Sequence, residues 1–312
     1  IKSTADMANI KYNKELGTPD LDSNIYIDTD SVFFSAVPLM DKRTPNWRDE
    51  SQDTVAGYVD VIAGEVQDYL NEFYDVLSKK VFNVDKDKHR LEIKKEYVAK
   101  AGLWVAKKRY AQWIIMNNGI PTDKLDVKGL DVKRSSFPKA FQECMGTVLI
   151  DILRGKGEEE LTEFVLDFKK NMTSRPIVEI AKNSAIKNLS KYKPKGKREP
   201  FTTMKGTPAH VKAAIAYNDC LTHFNAPFKY SPITDGDKVK WVYLKNNPLG
   251  LDGIAFTGYS DPPEIEKFIN TYIDHNKIFE RELRGKLQDF YDAIGWGEMI
   301  SEQKTAEKFF SF

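Results

Sequence analysis

Ile25-Tyr26-Ile27-Asp28-Thr29-Asp30-Ser31-Val32-Phe33-Phe34 is the stretch on which the reading of this chain turns. β-Branched and aromatic residues flank a polar centre, which predicts a hairpin carrying its acidic residues at the tip. Asp28 and Asp30 stand two positions apart, and on an extended strand that spacing puts both carboxylates on one face, with Thr29 turned away. Two anions held so close repel unless a cation lies beside them, and hard carboxylate oxygens suit Mg2+. Ser31 can bond locally or reach a phosphate. An Asp-x-Asp pair by itself is better read as a solvated acidic turn. The apolar flanks favour a rigid site, but this chemistry alone names no reaction.

Working outward, residues 1–14 read as the end of a helix, closed by a turn at Gly17-Thr18-Pro19-Asp20. Val55, Val59, Ile62, Val66, Leu70, Phe73 and Leu77 recur at helical spacing and predict a helix over 53–81. Strands are expected at Leu91 to Val98, Leu103 to Val105 and Tyr110 to Met116, with a connector at Lys128 to Arg134. From Pro138 the texture becomes helical, over 138–154, 158–172, 176–188 and 208–224. Lys191 to Pro200 is a basic loop broken by Gly and Pro. A strand at Lys238 to Leu244, a turn at Asn247-Pro248-Leu249-Gly250 and a helix over 262–292 precede a polar tether ending in Phe-Phe-Ser-Phe. A domain boundary is expected near residue 133.

The chain has 312 residues, 41% hydrophobic and 30% charged, which describes a globular protein with room for two domains. No run of about 18 apolar residues occurs, so no membrane association is expected, and no secretory signal is recognised. The two cysteines, Cys144 and Cys220, fall in expected helices and make no disulfide scaffold or zinc motif, which suits a reducing, intracellular setting. The four histidines, His89, His210, His223 and His275, are scattered without metal-site spacing. Net charge is only +1, yet Lys107-Lys108-Arg109 and the Lys193, Lys195, Lys197, Arg198 stretch are locally basic. Such patches are either ordinary solvated loops or a surface that grips a polyanion. The sequence opens Ile1-Lys2-Ser3, without methionine, and reads as the continuation of a longer product.

Tyr26-Ile27-Asp28-Thr29-Asp30-Ser31 resembles the Tyr-x-Asp-Thr-Asp-Ser motif of family B DNA polymerases. Lys107-Lys108-Arg109-Tyr110-Ala111 resembles the family's Lys-Lys-Arg-Tyr segment, at about the family's distance from that motif. Lys133-Arg134-Ser135-Ser136-Phe137-Pro138-Lys139 is similar to the palm-to-thumb junction of the T-even-like bacteriophage enzymes, and Ser184 to Tyr192 to their thumb. The resemblance extends over nearly the whole chain. It implies an α+β fold: the C-terminal part of a palm, an antiparallel sheet with helices, over residues 1–133. A mainly helical thumb over 134–303 and a clamp-binding tail over 304–312 would follow. The family's other catalytic aspartate, fingers and exonuclease lie upstream of the motif and cannot be located here. They are expected on a separate N-terminal chain or in a preceding segment, and the first arrangement, a split polymerase, is preferred.

The activity so implied is template-directed transfer from a deoxynucleoside triphosphate to a primer, using two Mg2+ ions about 3.5–4 Å apart. Asp30 is then the first choice as a metal ligand and Asp28 the weaker partner. Primer-template DNA would meet Ser31, Lys107, Lys108, Arg109 and Tyr110 beside the site, with Tyr110 alternatively packed beneath the basic residues or in the core. Ser135, Ser136, Lys139, Lys187, Lys191, Tyr192, Lys195 and Lys197 would meet it farther back, on phosphates and without sequence preference. Ser135 and Ser136 could instead cap the helix that follows. Phe309, Phe310 and Phe312 would dock in a sliding clamp or fold back on the thumb. Work in the cytoplasm of an infected host cell follows from the same resemblance. A duplex-binding module without catalysis and a metal-dependent nuclease remain as alternatives.

Overall fold

A computed structural model describes residues 1–193, 199–226 and 228–299. Contacts gather into two units, Ile1–Gly129 and the chain from Leu130 onward. Helices mix with small antiparallel sheets, so the fold class is α+β, as expected. Among the described residues no helix is long and apolar enough to cross a membrane.

The first unit opens with helix α1, Lys2–Leu16, which ends where Gly17 adopts a left-handed φ of 76° and its N–H bonds the Asn13 carbonyl. Strands β1, Asn24–Asp28, and β2, Ser31–Phe34, pair antiparallel with Asp28 opposite Ser31. A short helix α2, Val37–Arg43, follows; its seven residues are too few for the apolar period to reveal it in sequence. Helix α3, Gln52–Phe82, starts at Ser51, whose side chain accepts from the Thr54 N–H. Its stripe of Ile62, Val66 and Leu70 packs on Ala8 and Tyr12 of α1 and on Leu39 and Met40 of α2. Burying each such aliphatic side chain contributes about 1.5–3 kcal/mol. Arg43 ties the same three helices together, 2.7 Å from Glu15 and 2.7 Å from Glu65.

Residues 91–96 were expected to begin a strand but are irregular. Their backbone groups are taken by α3 side chains: Asn71 pairs with both the N–H and the carbonyl of Ile93, and Gln67 accepts from the Lys95 N–H. The sheet begins later, as a meander of β3 (Tyr97–Ala106), β4 (Arg109–Asn117) and β5 (Ile120–Lys128). Strand β5 was not anticipated. Its signal was Asn118-Gly119, where both residues take positive φ, 47° and 77°, in a two-residue hairpin turn.

The second unit contains α4 (Lys139–Leu153), α5 (Glu158–Asn171), α6 (Ile177–Ile180), β6 (Lys182–Ala185), α7 (Ala209–His223), β7 (Lys238–Tyr243) and β8 (Gly253–Phe256). It closes with α8 (Pro263–Tyr272), α9 (His275–Phe279), a π turn at Glu280–Arg284 and α10 (Gly285–Ala293). Helices α4, α5 and α7 bury Phe141, Val148, Leu161, Val165, Ile215 and Tyr217 completely or nearly so. Two expectations fail here. The helix over 176–188 stops after one turn, because Lys182–Ala185 pairs with β7 and joins the β6–β7–β8 sheet. The helix over 262–292 breaks at Ile273, which bridges to Leu244, and Asp274 then caps α9 by accepting from the Lys277 N–H.

Candidate active site

The β1–β2 hairpin is held against α1. Asn24 donates to the Ala5 carbonyl at 3.1 Å, Asn9 donates to Asp22 at 2.7 Å, and the Tyr12 ring meets Phe34 edge-on at 5.3 Å. The acidic residues do stand at the tip, but not both on a strand. Asp28 ends β1, and Asp30 lies in the turn with Thr29, whose φ is 49°. The chain reverses between Asp28 and Ser31, so the alternation that would align two strand carboxylates does not reach Asp30. Positive φ on a β-branched residue is disfavoured, and such backbone recurs where a tip must be held in one shape.

Around the turn the carboxylates differ. Asp28 is partly covered, with its side chain 20% exposed; it accepts from the Thr29 hydroxyl at 3.1 Å and lies 3.8 Å from the Lys108 ammonium. Asp30 is exposed. Ser31 bonds locally, donating to the Asp28 carbonyl at 3.0 Å.

The tip is anchored to the turn between β3 and β4, which holds Lys107 and Lys108. Tyr26 accepts from the Lys108 N–H at 2.8 Å. Beneath the turn, Tyr26, Phe33, Trp104 and Tyr110 form one aromatic group with centroid separations of 5.6 to 6.3 Å. Burial raises the Tyr110 phenol pKa, and the negative charges of Asp126 and Asp28 add to the effect. Tyr110 is 9% exposed and supports the turn from beneath. Lys107 and Lys108 are exposed, and Arg109 is half-buried. Lys108 itself has a φ of 62°. Gly129 makes room for it: a Cβ there would lie 2.1 Å from the Lys108 carbonyl oxygen, and its own φ is 65°. Neither Tyr26 nor Gly129 could be assigned these roles from sequence, because both act through partners distant along the chain.

Among the described residues no group of three or more His, Cys, Asp or Glu side chains is arranged to hold a metal. Asp28 and Asp30 nevertheless suit Mg2+, which takes one or two carboxylates together with water and substrate phosphates. Both cysteines are buried, which pushes each thiol up to about 12, so they serve the core.

Among the described residues, those expected of the second unit are not gathered into one cluster. Ser135, Ser136 and Lys139 precede or open α4, yet its N-cap is Pro138 with no side-chain cap, which removes the capping alternative for the serines. Lys139 lies 3.9 Å from Glu143, and the Ser135 carbonyl accepts from Asn183 at 3.2 Å. Lys187 is exposed in the loop after β6, and the Lys191 ammonium sits 5.6 Å from the Tyr192 ring. Lys195, Lys197, Phe309, Phe310 and Phe312 lie outside the described residues.

The family model for DNA polymerase family B matches residues 64–276, and the chain belongs to that family. Two relatives align over most of it. A DNA-directed DNA polymerase of Enterobacteria phage T4 is 26% identical across 99% of this chain and 34% of the relative. A DNA-directed DNA polymerase of Escherichia phage RB69 is 26% identical across 90% of this chain and 31% of the relative. The chain thus spans about a third of the length of these relatives.

Proposed function

We propose that this protein takes part in template-directed DNA synthesis, supplying carboxylates for nucleotidyl transfer and a surface for the primer-template duplex. The observation that carries this reading is the fixed hairpin tip of a family B chain, with Asp28 beside Lys108 and Asp30 exposed in the turn. The primer 3′-hydroxyl would displace pyrophosphate from a deoxynucleoside triphosphate. Asp30, open to solvent, is suited to bind Mg2+ directly, and Asp28, screened by Thr29 and Lys108, to shape the charge beside it. Bound there, Mg2+ would supply Lewis acidity and charge neutralisation at the phosphoryl oxygens. The protein's share is placement: the aromatic group and the Tyr26–Lys108 bond hold the tip still, which is how preorganised sites stabilise developing charge.

Lys107, Lys108 and Arg109 would touch duplex next to the site. Ser135, Ser136, Lys139, Lys187, Lys191 and Tyr192, with Lys195 and Lys197, would position its phosphates. Phe309, Phe310 and Phe312 would engage a sliding clamp in the replication complex of an infected cell. Residues 1–133 would belong to the palm and 134–303 to the thumb. The remaining carboxylate, fingers and exonuclease would come from a separate N-terminal chain or a preceding segment. It would cover apolar residues left exposed on the first unit, Ile10, Ile25, Val61, Phe82 and Ile120 among them, 47–69% accessible.

Primer extension tests the reading: this chain alone, then with the upstream polymerase region supplied, with Mg2+ and deoxynucleoside triphosphates. Extension only in the combined reaction supports it. Cleavage of DNA by this chain alone would establish a nuclease instead. Duplex binding with no extension under either condition would establish a non-catalytic module.

A further inference from the structure

The β6–β7–β8 sheet uses its lysines in two ways. Register sets Lys182 opposite Trp241 and Asn183 opposite Lys240, so Lys182 and Lys240 emerge on opposite faces. On one face the Lys182 ammonium lies 2.9 Å from Glu282, whose side chain is 6% exposed, and 5.4 Å from the Trp241 ring. That cation is neutralised within the fold.

Lys240 on the other face is not. It is half-buried, and its ammonium donates to the neutral Asn183 Oδ1 at 2.9 Å. Among the described residues no carboxylate pairs with it, and burial lowers its pKa with no opposing charge to offset the effect. The Asn183 amide is fixed from its other end, because its NH2 donates to the Ser135 carbonyl at 3.2 Å. The lysine stem is seated as well. It runs over Gly258, where an added Cβ would meet Lys240 Cδ at 3.4 Å and Cε at 3.7 Å. Beside it on the same face stand Lys238 and, opposite Lys238, Ala185, both exposed.

A partly desolvated cation with only a neutral partner is costly, and an anionic ligand removes that cost. Lys238 stands about 7 Å away along the strand, so the face presents two cations in a row, which suits a polyanion better than an isolated ion. We propose that Lys240, oriented by Asn183 and flanked by Lys238, binds a backbone phosphate of duplex DNA. The proposal rests on the DNA-synthesis reading and adds to it a contact face on the β6–β7–β8 sheet.

The test is duplex binding by the full chain in its native assembly, followed by fluorescence anisotropy across a salt series. Lys240→Gln should weaken binding several-fold and reduce the slope of log affinity against log salt by about 1. Lys240→Arg should keep the slope. Asn183→Ala should keep the slope and lose less affinity, because the charge remains but is no longer aimed. Unchanged affinity and slope in Lys240→Gln, with steep salt dependence in the parent, would overturn the proposal and leave the DNA-synthesis reading standing. No duplex binding by the parent would overturn both. A second measurement needs no variant: the Lys240 ammonium, followed by NMR on lysine labelled at Cε, should titrate at higher pH when duplex is added. An unmoved midpoint at saturating duplex counts equally against the proposal.

Discussion

The buried carboxylates of the second unit and the two at the hairpin tip of the first are treated in opposite ways. In the second unit Asp131, Asp151, Asp261 and Glu282 are buried, and each has a partner. Asp131 is 6% exposed and meets Lys286 at 2.6 Å and Arg134 at 2.8 Å. Glu282 is held by Lys182, Asp151 by Lys156 at 3.2 Å, and Asp261 by the N–H groups of Thr257 and Gly258. At the hairpin tip of the first unit, Asp28 has one hydroxyl and a lysine at 3.8 Å, and Asp30 stands in the open turn. A buried carboxylate whose charge is neutralised by a partner stabilises its own fold and is shielded from a ligand. An undersatisfied one on a rigid support is available for chemistry.

Substitutions on either side of this contrast should fail differently. The largest effect is expected for Asp30→Asn in the complete enzyme: nucleotide incorporation falls by at least about two orders of magnitude, while duplex affinity and melting temperature stay near those of the parent. Asp28→Asn should cost less. Full incorporation by Asp30→Asn would remove the tip from the mechanism. Asp131→Ala should do the reverse, lowering stability toward the lower end of about 3–5 kcal/mol, because Lys286 is left partly buried without its partner. Denaturant unfolding reads this, and an unchanged midpoint would show that the cluster does not support the fold.

Gly129→Ala separates the support of the site from its chemistry. A Cβ cannot fit 2.1 Å from the Lys108 carbonyl, so the β3–β4 turn must shift. Stability should drop by more than about 1 kcal/mol, and incorporation should decline although no carboxylate has changed. Ser51→Ala calibrates the scale. It removes the cap of α3 and should cost about 1 kcal/mol with normal incorporation; a loss of activity there would mean that stability alone governs the assay.

Much of the helical framework was legible in the chain. Val55 to Leu77 kept its period through α3, and the apolar stripes of α4, α5 and α7 were equally clear. The motif resemblance led to the family that the comparison then matched. The errors share a cause. Lys182–Ala185 follows Ile177, Val178 and Ile180 and reads as the continuation of a helix, but β7 claims its backbone; residues 91–96 look extended, but Asn71 and Gln67 claim theirs. Competition by distant partners leaves no local signal.

By itself the sequence determined which segments have an apolar face, where the acidic hairpin lies, and which family motifs the chain carries. Those properties depend on residues near one another along the chain. Only the tertiary structure decided that Asp30 sits in the turn rather than on the strand. Likewise it alone brought Tyr26 to hold the Lys108 turn across 82 positions, and left Lys240 with a neutral partner while Lys182 found Glu282. Charge neutralisation and backbone register are set by what packing brings together, and packing joins residues whose separation in sequence carries no pattern.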